Sequence, residues 1–171
     1  MVLEQSYARR IQHVLKRVPL LAKLMFHGWR FLQPRVTMGA VGVVFNEHGQ
    51  ILLVEHTFHP KTPWGLPGGW VGRGENPADT VAREFMEELS LKIEVGPIIL
   101  VELPFKNHLD LAYLCRTQDS VGKLNYEILK VEWFAPDELP RLLSFHHIAI
   151  QRASEMLEIL DISHGLNTKR T

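Results

Sequence analysis

Three glutamates at helical spacing, placed just after a glycine-rich run, constrain this chain more than any other feature. The run is Gly65, Gly68, Gly69, Gly72 and Gly74, and the glutamates are Glu84, Glu87 and Glu88. The segment Asn76 to Leu89 is predicted to be helical. Pro77 suits a first turn, and Ala78, Val81, Ala82, Phe85 and Leu89 recur with helical period. Positions i, i+3 and i+4 project from one helix face, so the three carboxylates repel one another and weaken the helix in isolation. A hard divalent cation reverses that sign, because Mg²⁺ and Mn²⁺ prefer oxygen ligands and Mg²⁺ is commonly shared between carboxylates and substrate phosphates. A solvated acidic helix face is the plainer reading of E-x-x-E-E alone. The glycine-rich loop ahead of it and Arg83 beside it favour half of a metal–phosphate site.

The rest of the chain sets the frame. Its 171 residues, 46% hydrophobic and 22% charged, suit one globular domain with a core. Net charge is zero but split: residues 1–35 hold seven Lys/Arg and one acid, the remainder twelve bases and eighteen acids. The acidic body argues against general nucleic-acid binding. Cys115 is the single cysteine, which excludes an internal disulfide and suits a reducing cytoplasm. Lying in the apolar stretch Leu111 to Cys115, it reads as a buried structural residue rather than a nucleophile. No cleavable signal is evident, and no uncharged apolar run of about 18 residues is present.

Along the chain, residues 5–32 are predicted to form two helices broken near Pro19, with Lys16, Arg17, Lys23 and Arg30 interrupting an apolar stripe. Packing on the domain or on a second subunit, as in a homodimer, is preferred. Peripheral contact with an anionic membrane and a place beside the substrate pocket are the alternatives. Pro34 marks the boundary to the next domain. Val36 to Phe45 and Ile51 to His56 are predicted as a hairpin around Asn46-Glu47-His48-Gly49. Thr57 to Gly69 is predicted as a loop. Further strands are expected in Leu91 to Leu103 (one or two), Leu109 to Arg116 and Glu127 to Phe134. A helix start is expected at Pro136 to Leu139, and a C-terminal helix at His147 to Leu160 with a frayed end after Ile162. This divides the chain into a helical extension (1–34), a catalytic domain (35–162) and a tail (163–171).

From Gly69 onward the pattern Gly69, Glu75, Arg83-Glu84-Phe85, Glu87-Glu88, Ser90-Leu91 resembles the Nudix box, G-x5-E-x7-R-E-U-x-E-E-x-G-U, where U is a bulky aliphatic. Ser90 stands where the box has its last glycine, and Phe85 is aromatic where an aliphatic is usual. The Ser90 departure bears on the helix's C-terminal turn. The resemblance spans about Thr37 to Leu160 and implies an α/β/α sandwich with a mixed sheet, to which the N-terminal helices are an addition.

The resemblance also implies roles. Glu84, Glu87 and Glu88, with the Gly68 carbonyl, would bind Mg²⁺ or Mn²⁺. Arg83 would pair with Glu75 or orient a carboxylate, and Gly69 would let main chain approach the phosphates. The general base is left between Glu88 or Glu84 and a later glutamate, Glu127 or Glu132, although exposed strand carboxylates are the preferred reading of those two. Trp64, Trp70 and Phe58 are candidates to stack a base, with core packing at least as good a reading; His59 and His56 are candidates to touch phosphate, with plain surface histidines the preferred reading. The implied reaction is hydrolysis of a nucleoside diphosphate linked to another moiety, of the ADP-ribose or nucleotide-sugar type. A nucleoside triphosphate pyrophosphatase and a non-catalytic nucleotide sensor are the alternatives. Signatures of narrower subfamilies do not match: Pro104, for one, stands near but out of register with a proline favoured by ADP-ribose hydrolases.

Overall fold

The structure, a computed structural model, describes residues 19–167. The chain divides between Arg35 and Val36 into two compact units. In the first, α1 (Pro19–Leu32) starts at the proline, as expected for a residue with no N–H to lose in a first turn. The preceding predicted helix lies outside the described residues. Leu24, Met25 and Trp29 of α1 are exposed. Among the described residues no helix is long and apolar enough to cross a membrane.

The described residues of the second unit form seven strands and two helices: β1 (Thr37–Val44), β2 (Ile51–His56), β3 (Trp64–Gly65), β4 (Gly68–Trp70), α2 (Pro77–Leu89), β5 (Glu94–Phe105), β6 (His108–Arg116), β7 (Ile128–Phe134) and α3 (Ser144–Asn167). One sheet has the order β4-β1-β6-β5 and the other β3-β2-β7. β1 and β6 run parallel, while β1–β4 and β5–β6 are antiparallel, so the larger sheet is mixed.

Side-chain alternation builds two cores. Ala40 and Val44 of β1, Leu52 and Val54 of β2, and Leu111, Tyr113 and Cys115 of β6 face Val81, Phe85 and Leu89 of α2. The intervening residues Val43, Ile51, Leu53, Ala112 and Leu114 face Phe145, Ala149, Ile150 and Ala153 of α3. A strand buried on both faces reads as a continuous apolar run, which explains why β1 and β2 show so little polar alternation. In α3 Ile148 is only half-buried, and Ala149 takes the core position. Cys115 is buried, and burial pushes its thiol up to about 12, so it is inert at neutral pH.

Several expectations are corrected. The β1–β2 turn forms, with Asn46 Oδ1 accepting from the amides of His48 and Gln50 at 2.9 Å each. The hairpin does not: beyond a single Phe45–Ile51 bridge the strands separate. Both edges of β1 are taken by β4 and β6, and those of β2 by β3 and β7. Within the predicted loop 57–69 lie β3 and the first residues of β4. Of the one or two strands expected in Leu91 to Leu103, a single long one forms, β5, whose pairing with β6 shifts register around Gly96-Pro97 and again near its end. Pro136 to Leu139 is a turn, closed by the Glu138 amide on Ala135 O at 3.0 Å. Pro140 stops it from becoming a helix, since it lacks an N–H and disfavours helical geometry at Leu139. α3 continues through Asn167, past the expected end at Leu160, and residues 168–171 lie outside the described residues.

Candidate active site

α2 is fixed at both ends by its own sequence. Asn76 caps it, accepting from the Ala78 amide at 3.1 Å, and Pro77 follows. Ser90 closes it in the left-handed region at φ 47°, ψ 39°. Its amide donates to Met86 O at 3.1 Å, and the Leu91 amide donates to Phe85 O at 3.2 Å. This is the turn a glycine would make. The Ser90 hydroxyl adds a bond to Lys123 O at 2.9 Å. Phe85 fits where an aliphatic is usual because its ring lies over Gly42: a Cβ there would stand 2.7 Å from Phe85 Cε2. The missing Cβ therefore admits the larger ring.

With α2 seated on β1, its carboxylates meet the glycine run. A Cβ on Gly69 would overlap the Glu84 carboxylate, and one on Gly72 would stand 2.8 Å from Glu75 Oε2. Arg83 sits at the centre. It donates through Nε to Glu75 Oε1 at 2.9 Å and through Nη2 to Glu75 Oε2 at 3.3 Å. Its Nη1 reaches Glu84 Oε1 at 2.8 Å and Glu87 Oε2 at 3.0 Å. Arg83, together with the Gly72 amide at 2.8 Å, holds the Glu75 carboxyl down to about 2.

Glu88 has the opposite environment. It is 4% exposed, and its Oε2 has no hydrogen-bond partner. Burial, then the charge on Glu84, and further the charges on Glu127 and Glu87, push its carboxyl up to about 8, against a smaller lowering by the Gly68 backbone. An orphaned buried carboxylate oxygen among like charges is a place for a cation. Among the described residues, though, no three His, Cys, Asp or Glu side chains converge into a ready-made cage. The reason is visible: Arg83 draws Glu84 and Glu87 to itself.

A cleft of about 570 Å³ opens on the other side of the glycine run. It brings together all six residues expected to touch substrate, His56, Phe58, His59, Trp64, Gly69 and Trp70, along with Gly68. Glu84, Glu87 and Glu88 do not line it; Glu84 adjoins it through Gly69. Trp70 is 61% exposed and packs on His108, whose ring stacks on Phe105 with centroids 4.4 Å apart. His108 is anchored by Thr37 Oγ1 at 2.8 Å and Asp110 Oδ1 at 2.9 Å. Trp64 is half-buried with its edge against Phe134, so it is wall more than free stacking surface.

The two later glutamates differ. Glu127 lies in the turn before β7, not in the strand, on a loop tied to α2 by the Asn125 amide on Glu88 O at 3.0 Å. Glu132 lies within β7 and pairs with Lys130. His108, Asp110 and His146 also line the cleft and were missed in the sequence. The alternation His108-Leu109-Asp110 in a strand hints at one face for His108 and Asp110. His146 gives no such signal, because its partner, the Leu66 amide, is eighty residues away.

The NUDIX domain model matches residues 35–153. The chain belongs to the Nudix hydrolase family. This Nudix hydrolase is 31% identical over 110 residues to a MutT-like protein of Streptomyces ambofaciens, covering 62% of this chain and 68% of that one. It is 30% identical over 113 residues to the mouse protein named nucleoside diphosphate-linked moiety X motif 6, covering 61% of this chain but only 36% of the relative. Among solved structures, a MutT Nudix hydrolase from Burkholderia pseudomallei superimposes with a TM-score of 0.60 at 28% identity, over 70% of this chain and 98% of that one. An ADP-ribose pyrophosphatase from Streptococcus suis gives 0.59 at 25% identity, over 71% and 92%. The α/β/α sandwich is thus the family's, and the chain is a pyrophosphohydrolase of a family that works with divalent metal ions.

Proposed function

We propose that this Nudix hydrolase cleaves the diphosphate of a nucleoside diphosphate linked to a second moiety, of the ADP-ribose or nucleotide-sugar type. The products are a nucleoside monophosphate and a phosphorylated partner. The observation that carries this reading is the mixed lining of the cleft. Gly68 and Gly69 share it with Trp70 and with His56 and His59. An aromatic surface and imidazoles in one cleft beside the glycine run suit a substrate with two chemically different parts. The names of the mouse relative and of the Streptococcus structure point the same way.

Glu84, Glu87 and Glu88, with the Gly68 carbonyl, are assigned to hold Mg²⁺ or Mn²⁺. The orphaned Oε2 of Glu88 supports the fit. A divalent ion held by these groups would neutralise diphosphate charge and would make water a better nucleophile. Gly69 lets the phosphates approach the carboxylates without a Cβ between them. Arg83 positions Glu75, Glu84 and Glu87, and Trp70 offers an open face for a base. Glu84, Glu88 and Glu127 are the candidate proton acceptors. Glu127 is close enough to Glu88 to bias its ionisation, while Glu132 is engaged with Lys130. A reducing cytoplasmic setting suits the lone buried Cys115.

Product analysis by anion-exchange chromatography, over nucleotide sugars, ADP-ribose and nucleoside triphosphates with Mg²⁺ or Mn²⁺, tests the proposal. Nucleoside monophosphate from the linked diphosphates is the expected result. Pyrophosphate released from triphosphates alone would overturn it in favour of a triphosphate pyrophosphatase. Binding without turnover in either metal would mark a nucleotide sensor.

A further inference from the structure

Four nitrogen-bearing side chains line the cleft where the end of β2, the turns that follow it and the start of α3 meet it. His56 ends β2, His59 and Lys61 lie in the following turns, and His146 sits in the first turn of α3; all line the cleft. The imidazoles of His56 and His59 meet edge to face at 5.3 Å. His56 and His146 converge over Gly65: a Cβ there would stand 3.3 Å from His56 Nε2 and 2.8 Å from His146 Cε1. The Leu66 amide donates to His146 Nδ1 at 2.9 Å, which makes Nε2 the N–H of the neutral ring.

No carboxylate forms an ion pair with these four among the described residues. Glu127 faces His56 at longer range, and His147 is the remaining titratable neighbour of His146. Nor do three His, Cys, Asp or Glu side chains of the described residues come close enough to share a cation. The cluster thus offers hydrogen-bond donors and latent positive charge with nothing negative in contact. Left empty, the imidazoles oppose each other's protonation. Burial and then His56, His147 and His59 hold His146 down to about 4; burial and then His59 lower His56, against a smaller raising by Glu127. A bound anion reverses the sign of that crowding.

We propose that His56, His59, Lys61 and His146 form an anion subsite. It takes a phosphate group on the substrate's second moiety, separate from the diphosphate that is cleaved. The subsite rests on the proposed function only in assigning the anion to a nucleotide substrate. It narrows the substrate class to linked diphosphates whose second half carries its own phosphoryl group.

The test is made on the full chain, without metal and without turnover, using inorganic phosphate as probe. Imidazole resonances are followed by NMR during phosphate titration at several pH values. Saturable shifts of His56, His59 and His146 are expected. The apparent pKa of His56 and His146 should rise by about one unit, as for groups meeting an opposite charge. Replacing His59 and Lys61 together by Ala removes two exposed side chains with little burden on the core. The double variant should weaken phosphate binding roughly tenfold, the loss of about one charge-assisted hydrogen bond. Phosphate shifts confined to the Gly72–Glu75 loop, or unchanged affinity in the double variant, would overturn the subsite. With turnover established, the double variant should raise KM for a substrate phosphorylated on its second half by a larger factor than for the unphosphorylated analogue. Equal effects on both would also overturn it. Failure of the substrate panel leaves the NMR result standing by itself, so the two readings fail separately.

Discussion

Arg83 binds Glu75 through two parallel hydrogen bonds, Nε to Oε1 at 2.9 Å and Nη2 to Oε2 at 3.3 Å, while its remaining nitrogen spans Glu84 and Glu87. One guanidinium thus ties the glycine-rich loop to α2 and offsets the repulsion among the carboxylates. A lysine keeps the charge but cannot form the fork. Arg83→Lys should therefore lower kcat/KM by about 10–100-fold through misplacement of the loop. Glu75→Gln should do the same, and the double variant should be no worse than the worse single variant. Kinetics of the three proteins check this; multiplicative losses would show that the pair does not act as a unit.

Glu88 is buried, with one oxygen unpartnered. Its folded-state carboxyl is raised from the usual 4.5 to about 8. The unfolded chain releases this proton earlier, so metal-free protein loses stability as pH rises from about 4.5 to about 8, and the penalty is absent below that window. Glu88→Gln removes the ionisable group at nearly constant shape. Metal-free Glu88→Gln should be more stable than the wild type at pH 7 by on the order of 2–3 kcal/mol, while activity with Mg²⁺ should be largely lost. Unfolding in EDTA across pH, with turnover assays alongside, decides it. A variant less stable at neutral pH would mark Glu88 as a structural hydrogen-bonding residue, and normal turnover would remove it from the metal site.

The chemistry was legible where it depends on local periodicity. Asn76 and Pro77 announce the start of α2, and the spacing of Glu84, Glu87 and Glu88 sets one face. Illegible were features decided by competition between distant segments. Whether β1 pairs with β2 depends on β4 and β6 already holding its edges, which no property of Val36 to His56 records. The same holds for His146, joined to Leu66 only when α3 packs on the sheet. Phe85 and Gly42 were each visible, but their complementarity was not, since forty-three residues separate them.

Ser90 occupies a left-handed C-cap at φ 47° and offsets the strain with its bond to Lys123 O. Alanine would keep the strain and lose the bond. Glycine would lose the bond and remove the strain, which is about 1 kcal/mol for a residue with a Cβ. Ser90→Ala should therefore be destabilised by about 1 kcal/mol, and Ser90→Gly should be more stable than Ser90→Ala by a similar amount. Chemical denaturation of the three proteins orders them. Ala at or above Gly would contradict the strain argument.

Among the described residues, both apolar cores are built from residues beyond Val36. Deleting residues 1–35 should leave the catalytic unit folded, with its cooperative unfolding retained. The same deletion removes the exposed Leu24, Met25 and Trp29 with the basic Lys23 and Arg30 of α1. If that helix serves docking on a second copy, the truncated chain should shift to a smaller species in sedimentation equilibrium. Unchanged mass, together with salt-sensitive co-sedimentation of the full chain with anionic vesicles, would replace docking with surface adsorption.

His146 supplies the pH test. Its folded-state pKa is lowered from 6.5 to about 4, chiefly by burial and then by neighbouring imidazoles. The folded protein resists protonation of this ring, so its contribution is fully favourable above pH 6.5 and is lost as pH falls toward 4. The loss should amount to roughly 2 kcal/mol across that window. His146→Asn places an amide oxygen where Nδ1 accepts from Leu66 N and removes the titration. Its stability should fall less steeply than the wild type's between pH 6.5 and pH 4, with the curves separating most at the acidic end. Parallel curves from urea unfolding at each pH would show that His146 is not the group that senses acid.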